Sequence, residues 1–280
     1  MDVFRERKID CHMHVLDPRR FPYGKDIAYK PAGQEIGTPA QFLQVMDTYG
    51  IDHALIVQPN SGYGSDNSCM LDTIERGNGR FKGIAIIDFD ADDSALRDFK
   101  ARGVVGAAFN PTFHGNDYYR AAKGLVARLA EHDMFVQIQS EHDQLLMFEP
   151  WIEEMPVRVL IDHCGRPTPE AGLGQPGFAA LLRLAKTDRV NVKLSGYAKF
   201  SRTGFPFDDC LPFVRALVDA FGLEHCMWAS DWPYLRADER QDYGPLVKLV
   251  ERLFPNERER HQLLWDTPCQ LFGFAGGGRS

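Results

Sequence analysis

The chain reads as an α/β protein of one domain, a (β/α)8 TIM barrel, and three observations carry that reading. Eight strand-sized runs of β-branched or apolar residues recur along it. Stretches with helical periodicity separate them. The length, 280 residues, is close to the ~250 typical of that fold. No convincing Gly-x-Gly-x-x-Gly follows the first run, which argues against an open dinucleotide-binding sheet.

Taken in order, the runs are 9–15, 53–58, 83–88, 104–110, 135–140, 158–163, 190–195 and 227–231. The first helix is predicted around Phe42, Val45, Met46 and Tyr49, with Thr38 as N-cap, Pro39 at its first position and Gln41 three residues after the cap. Tyr118, Ala122, Leu125, Val126 and Leu129 mark a middle helix. Val214, Leu217, Val218 and Phe221 mark the last one before the eighth strand, with Gly222 as its terminator. Two Pro/Gly-rich excursions, 17–37 and 166–177, directly follow strand ends, which in a barrel places them on the active face. The barrel is expected to span 1–275, and the Gly-rich end, 276–280, to be a disordered tail.

Hydrophobic content of 44% against 25% charged residues suffices for one large core. A net charge of −7 disfavours nucleic acid and anionic membranes as partners, since both select a basic face. Met1 to Lys8 is charged and no run is long enough to span a bilayer, so the expected location is cytoplasmic. The six cysteines are scattered with no Cys-x-x-Cys, which suggests reduced thiols rather than a disulfide framework or zinc knuckle. Cys11 is expected to face away from its histidine neighbours.

His12 and His14 carry the strongest chemical signal. Alternate residues of a strand share a face, so both imidazoles project the same way, roughly 7 Å apart at the backbone. Closing a barrel makes the first and eighth strands neighbours, and Asp231 ends the eighth run; His12, His14 and Asp231 therefore converge. His163 ends the sixth run before a long loop. Asn110, Gln139, Ser195 and Lys199 end or follow other runs and reach the same rim, with Tyr234 just after Asp231. An acid flanked by Trp228, Trp232 and Pro233 is partly desolvated, which suits a general base. Arg166, Lys199, Arg202 and Arg236, all on active-face loops, favour an anionic substrate. The tryptophans themselves are read as packing residues.

His12-Met13-His14, Asp162-His163-Cys164-Gly165-Arg166-Pro167, Lys193-Leu194-Ser195-Gly196 and Ser230-Asp231-Trp232-Pro233 together resemble the amidohydrolase superfamily, in the branch of 2-pyrone-4,6-dicarboxylate lactonase and sugar-lactone hydrolases. The resemblance spans nearly the whole chain. It implies a barrel hydrolase whose catalytic positions are His12, His14, His163 and Asp231. Asn110, Gln139 and Lys199 stand where the pyrone dicarboxylate pattern has arginine, tyrosine and arginine. A related but different lactone is thus at least as good a fit.

The expected reaction is water attack on the ring carbonyl of a small carboxylated lactone. Asp231 is the base, and His12, His14 and His163 polarise the carbonyl. Arg166 and Lys199 are the candidates for the carboxylate, and Asn110, Gln139, Ser195 and Tyr234 for further contacts to substrate. The family's strand-four lysine and strand-five histidine are missing, so no metal or other cofactor is expected. A single divalent ion such as zinc on His12, His14 and Asp231 is the alternative, and His142 the residue most able to change that balance. The resemblance also leaves room for a metal-dependent decarboxylase or an aldarolactone isomerase. Homo-oligomerisation is left open.

Overall fold

The computed structural model describes residues 2–274; the expected tail at 276–280 lies outside the described residues. Eight strands, β1 (Lys8–Met13), β2 (Ile51–Val57), β3 (Phe81–Ala85), β4 (Val104–Phe109), β5 (Phe135–Ile138), β6 (Val159–Ile161), β7 (Val190–Leu194) and β8 (Cys226–Trp228), pair in sequence order, all parallel. The sheet closes through a parallel bridge between Met13 and Trp232. Two backbone bonds make that seam: His14 N–H donates to Trp232 O at 2.8 Å, and Asp231 N–H donates to His12 O at 2.9 Å. The chain is a single-domain (β/α)8 barrel.

Its strands are buried on both faces, which is why they read as near-continuous apolar runs. Ile56, Val136, Ile138, Val159, Ile161, Val192 and Leu194 pack outward against Phe42, Met46, Leu125 and Leu217 of the surrounding helices. Ile9, Cys11, Leu55, Ile84, Phe135, Leu160 and Met227 fill the lumen, together with Trp265 and Phe272 from the C-terminal segment. The barrel is thus a packed plug with a polar mouth.

The helix Pro39–Tyr49 begins as its sequence signals: Thr38 Oγ1 accepts from Gln41 N–H, the Gln41 side chain accepts from Thr38 N–H, and Gly50 ends it in a left-handed conformation at φ 69°. Gly222, at φ 72°, ends the helix Leu211–Phe221. Among the described residues no helix is long and apolar enough to cross a membrane.

Two local features differ from simple alternation. A register shift between Asp10 and Met13 interrupts β1. Cys11 therefore lies in the lumen cluster and His12 also turns inward, instead of on opposite faces, while Asp10 turns out to accept from Tyr243 OH at 2.8 Å. Several strands also end sooner than their apolar runs. His163 and Asp231 leave the sheet with φ of 51° and 62°, so these side chains sit on turns just above the strand ends.

Candidate active site

A cavity of about 270 Å³ opens at the C-terminal ends of the strands, lined by His14, Asn60, Asn110, Thr112, Gln139, Glu141, His163, Arg166, Lys199, Asp231 and Arg236 among others. At its floor three imidazoles surround one carboxylate oxygen. Asp231 Oδ1 lies 3.5 Å from His14 Nε2, 3.7 Å from His163 Nε2 and 3.8 Å from His12 Nε2. The backbone bonds of the β1–β8 seam set this convergence directly, because they tie His12 to Asp231 and His14 to the next residue.

The opposite ring nitrogens are all held. His14 Nδ1 meets Val57 O at 2.7 Å; a carbonyl only accepts, so Nδ1 carries a proton, and Nε2 is the nitrogen turned toward Asp231. His12 Nδ1 faces Asp162 Oδ1 at 3.2 Å. His163 Nδ1 is 3.0 Å from Ser195 Oγ, which places the buried Ser195 behind the histidine rather than in the cavity. Burial pulls the His12 pKa down to about 3 against the pull of Asp162, and lowers His163 against Asp231, so both rings are neutral at neutral pH. Burial acts to raise the Asp231 carboxyl, but His163, Lys199 and the other two histidines outweigh it and hold it well below the usual carboxylate range.

Beneath lies a polar layer that sequence reasoning missed. Lys193, fully buried, sits 3.1 Å from Asp162 Oδ1 and donates to Gln137 Oε1 at 2.5 Å, and Gln137 Nε2 donates to Asp162 Oδ2 at 2.8 Å. Burial raises the Asp162 carboxyl, yet Lys193 and His12 bring it below its ordinary value. A signal existed: a lysine inside one strand and an aspartate at the end of another, in a sheet covered on both faces, are costly unless paired.

The remaining predicted residues divide by position. Arg166 lines the cavity and pairs with Glu141 at 3.4 Å; Lys199 approaches Asp231 Oδ2 at 3.8 Å and donates to Leu235 O. Arg236 also lines the cavity, its guanidinium 4.2 Å from the Tyr29 ring centre. Across from these cations runs a neutral chain: Gln139 Nε2 donates to Thr112 Oγ1 at 3.2 Å, Thr112 donates to Asn110, and Asn110 Nδ2 donates to Asn60 Oδ1 at 3.0 Å. Tyr234 lines a smaller cavity behind Asp231, where its hydroxyl is buried without a hydrogen-bond partner. Arg202 pairs with Glu170 at 3.3 Å away from the cavity. His142 is exposed, bonded to Thr168 Oγ1 at 2.9 Å, and does not line the cavity. Trp228 packs against Tyr243 and Trp232 against Phe42, as packing residues.

The expectation that no metal belongs here is corrected by the donor geometry. Two groups of potential ligands lie within 4.8 Å of one another: His12, His14 and Asp231, and His12, Asp162 and His163. The second already holds the Lys193 ammonium beside Asp162 and His12. The first fits an ion. His12 Nε2 is buried with no hydrogen-bond partner, and His14, held through Nδ1 by the Val57 carbonyl, turns Nε2 toward the same Asp231 oxygen. Their separations from Asp231 Oδ1, 3.8 Å for His12 and 3.5 Å for His14, exceed the roughly 2.7–3.2 Å of a well-formed N–H···O bond. Ligands bound tetrahedrally at about 2.0–2.1 Å lie roughly 3.3–3.4 Å apart, close to this spacing.

Residues 9–274 match the amidohydrolase family. The chain belongs to that family. It is 34% identical over 275 residues to a 4-sulfomuconolactone hydrolase of Rhizobium radiobacter, covering 94% of this chain and 89% of the relative. It is 28% identical over 281 residues to a 2-pyrone-4,6-dicarboxylate hydrolase of Comamonas testosteroni, covering 94% and 89%. The crystal structure of a putative 2-pyrone-4,6-dicarboxylic acid hydrolase from Pseudomonas putida superimposes with a TM-score of 0.83 at 28% identity, covering 96% of this chain and 98% of that one.

Proposed function

We propose that this amidohydrolase opens a small carboxylated lactone by adding water to the ring carbonyl, with one divalent ion such as zinc held by His12, His14 and Asp231. One observation carries the reading. Three imidazole Nε2 atoms lie 3.5–3.8 Å from a single Asp231 oxygen at the floor of a cavity bordered by Arg166, Lys199 and Arg236. Relatives that act on muconolactone-type and pyrone rings support it.

A divalent ion bound there polarises a carbonyl and lowers the pKa of water. The chain's own groups do the rest. Asp231, ionised at neutral pH, takes the proton of the attacking water on Oδ2, the oxygen that Oδ1's imidazole partners leave free. With Ser195 donating to its Nδ1, His163 presents Nε2–H to the carbonyl oxygen, a contact that strengthens as negative charge builds there. Arg166 and Lys199 take the substrate carboxylate, and Asp231 returns its proton to the departing ring oxygen, giving the open hydroxy acid. The neutral Gln139–Thr112–Asn110–Asn60 wall holds the uncharged end of the ring.

The test is a pH-stat screen of 2-pyrone-4,6-dicarboxylate, muconolactone-type lactones and aldonolactones, run with zinc and after chelation. Acid release from at least one carboxylated lactone, lost with chelator and regained with zinc, is the expected result. Carbon dioxide release, or no ring opening in the whole panel, refutes the assignment.

A further inference from the structure

We propose that the substrate carries an uncharged aryl arm opposite its carboxylate, and that a second cavity beyond the neutral wall seats that arm. The inference rests on the proposed binding of a carboxylated lactone in the first cavity, and it names the rest of the molecule such a substrate brings. The second cavity, about 330 Å³, lies among the loops that follow β2, β3 and β4, with residues 26–28 of the first long excursion along its edge. An enclosed apolar cavity of about 150 Å³ already holds a benzene ring. The two cavities adjoin across Asn60, Ala108 and Phe113, which line both.

Their chemistry differs. Arg166, Lys199 and Arg236 border the first, whereas no lysine or arginine lines the second. The charged groups of the second are the Asp26 and Asp88 carboxylates, and burial lowers the His114 pKa, so that ring is neutral at neutral pH. An acidic arm finds no counter-charge here. Both carboxylates are exposed, so water and salt screen them and the apolar interior decides what binds. That interior is aromatic. The Tyr118 ring centre lies 4.4 Å from His114, stacked, and 5.1 Å from Phe89, and Phe89 meets Tyr119 edge-on at 5.9 Å. A further ring extends such an array by offset or edge contact. Phe113 and Tyr118 leave 48% and 51% of their surface in water, apolar area that an aryl group would cover. The walls are set without a ligand. Asn67 grips Ile86, accepting its N–H at 3.0 Å on Oδ1 and donating to its carbonyl at 2.9 Å. Tyr119 accepts the Asn110 N–H on its hydroxyl at 2.6 Å, so one residue offers its ring to the second cavity and braces the neutral wall of the first. Asn60 accepts from Asn110 Nδ2 at 3.0 Å and meets His114 Nε2 at 3.3 Å, which ties the two cavities together.

Binding without turnover tests this. A series of ω-phenylalkanoates of increasing chain length, each beside the plain alkanoate of the same chain, is titrated calorimetrically into the native protein. At one chain length the phenyl compound is expected to bind about 10–100-fold tighter, the range for burying an aromatic side chain; no gain at any length overturns the proposal. A trimethylammonium group in place of phenyl that binds tighter still overturns the uncharged assignment. Tyr118→Ala, at a half-exposed residue outside the first cavity, should cut the phenyl-to-alkyl affinity ratio at least about threefold, and an unchanged ratio overturns the subsite. The para-bromophenyl analogue soaked into crystals gives the location: its bromine is expected among Phe89, Tyr118 and Tyr119, and a bromine elsewhere overturns the proposal. Should the variant not fold, the bromine decides. A native chain that shows the phenyl gain but opens no lactone refutes the proposed hydrolysis and leaves the subsite standing; one that opens unsubstituted lactones without any phenyl gain keeps the hydrolysis and loses the subsite.

Discussion

Asp231→Asn keeps the volume of the side chain and the backbone bond to His12 O, and removes the one negative charge that faces three imidazoles and Lys199. Two losses follow. At 3.8 Å and an effective dielectric of 20, the attraction between Lys199 and Asp231 is about 4 kcal/mol before desolvation is subtracted. The variant also lacks the proton acceptor, a role that contributes about 10²–10⁴-fold, or roughly 3–5 kcal/mol of barrier. Initial rates on a carboxylated lactone at saturating zinc should therefore show kcat down by about a thousandfold, with KM changed only a few fold because Arg166 and Lys199 remain. Stability gives a second reading with a definite sign. The folded-state pKa of Asp231 is depressed, so its ionisation stabilises the fold at pH values above the unfolded value of about 3.9, and that contribution disappears as pH falls through the lower folded value. Thermal melts of zinc-free protein should show native chain above variant at neutral pH, with the gap closing in acid. A variant that turns over within tenfold of native refutes Asp231 as the base.

Three further outcomes follow from the cavity walls. His163→Gln should lose on the order of a hundredfold in kcat while zinc affinity stays near native, since His163 is assigned to the carbonyl and not to the ion; equal loss of zinc binding contradicts that division. Lys199→Met removes a charge-assisted contact of about 1.5–3 kcal/mol, so KM for a carboxylated lactone should rise roughly 10–150-fold, and an unchanged KM excludes Lys199 from carboxylate binding. Asn110→Arg places a cation on the neutral wall; competition assays should show kcat/KM for a dicarboxylated lactone rising at least tenfold relative to a monocarboxylated one, and a constant ratio argues against this wall as a specificity element.

Much of this architecture was legible because the signals are periodic and local. The Val190–Leu194 and Val104–Phe109 runs announce their strands by β-branched and apolar composition, and Thr38-Pro39 with Gln41 announces a helix start. The meeting of His12, His14 and Asp231 needed only the closure rule for a barrel. What escaped depends on register. The shift in β1 that turns Cys11 and His12 inward together leaves no mark in composition. The Gln137–Asp162–Lys193 layer is assembled from β5, the residue just past β6, and β7, and only their alignment brings those side chains within 3.1 Å. The metal expectation failed for a related reason: it rests on family ligands missing from two strands, whereas the way His12 and His14 turn their Nε2 atoms onto Asp231 is set by partners across the barrel. Tyr234 stands three residues past Asp231, yet the left-handed turns at both positions send it behind the carboxylate rather than beside it.

An anomalous difference map from zinc-soaked crystals, collected on both sides of the zinc absorption edge, bears on the ligand assignment most directly. One peak is predicted, about 2.0–2.2 Å from His12 Nε2, His14 Nε2 and Asp231 Oδ1. A peak between His12 Nδ1 and Asp162, or no peak on this rim, contradicts it.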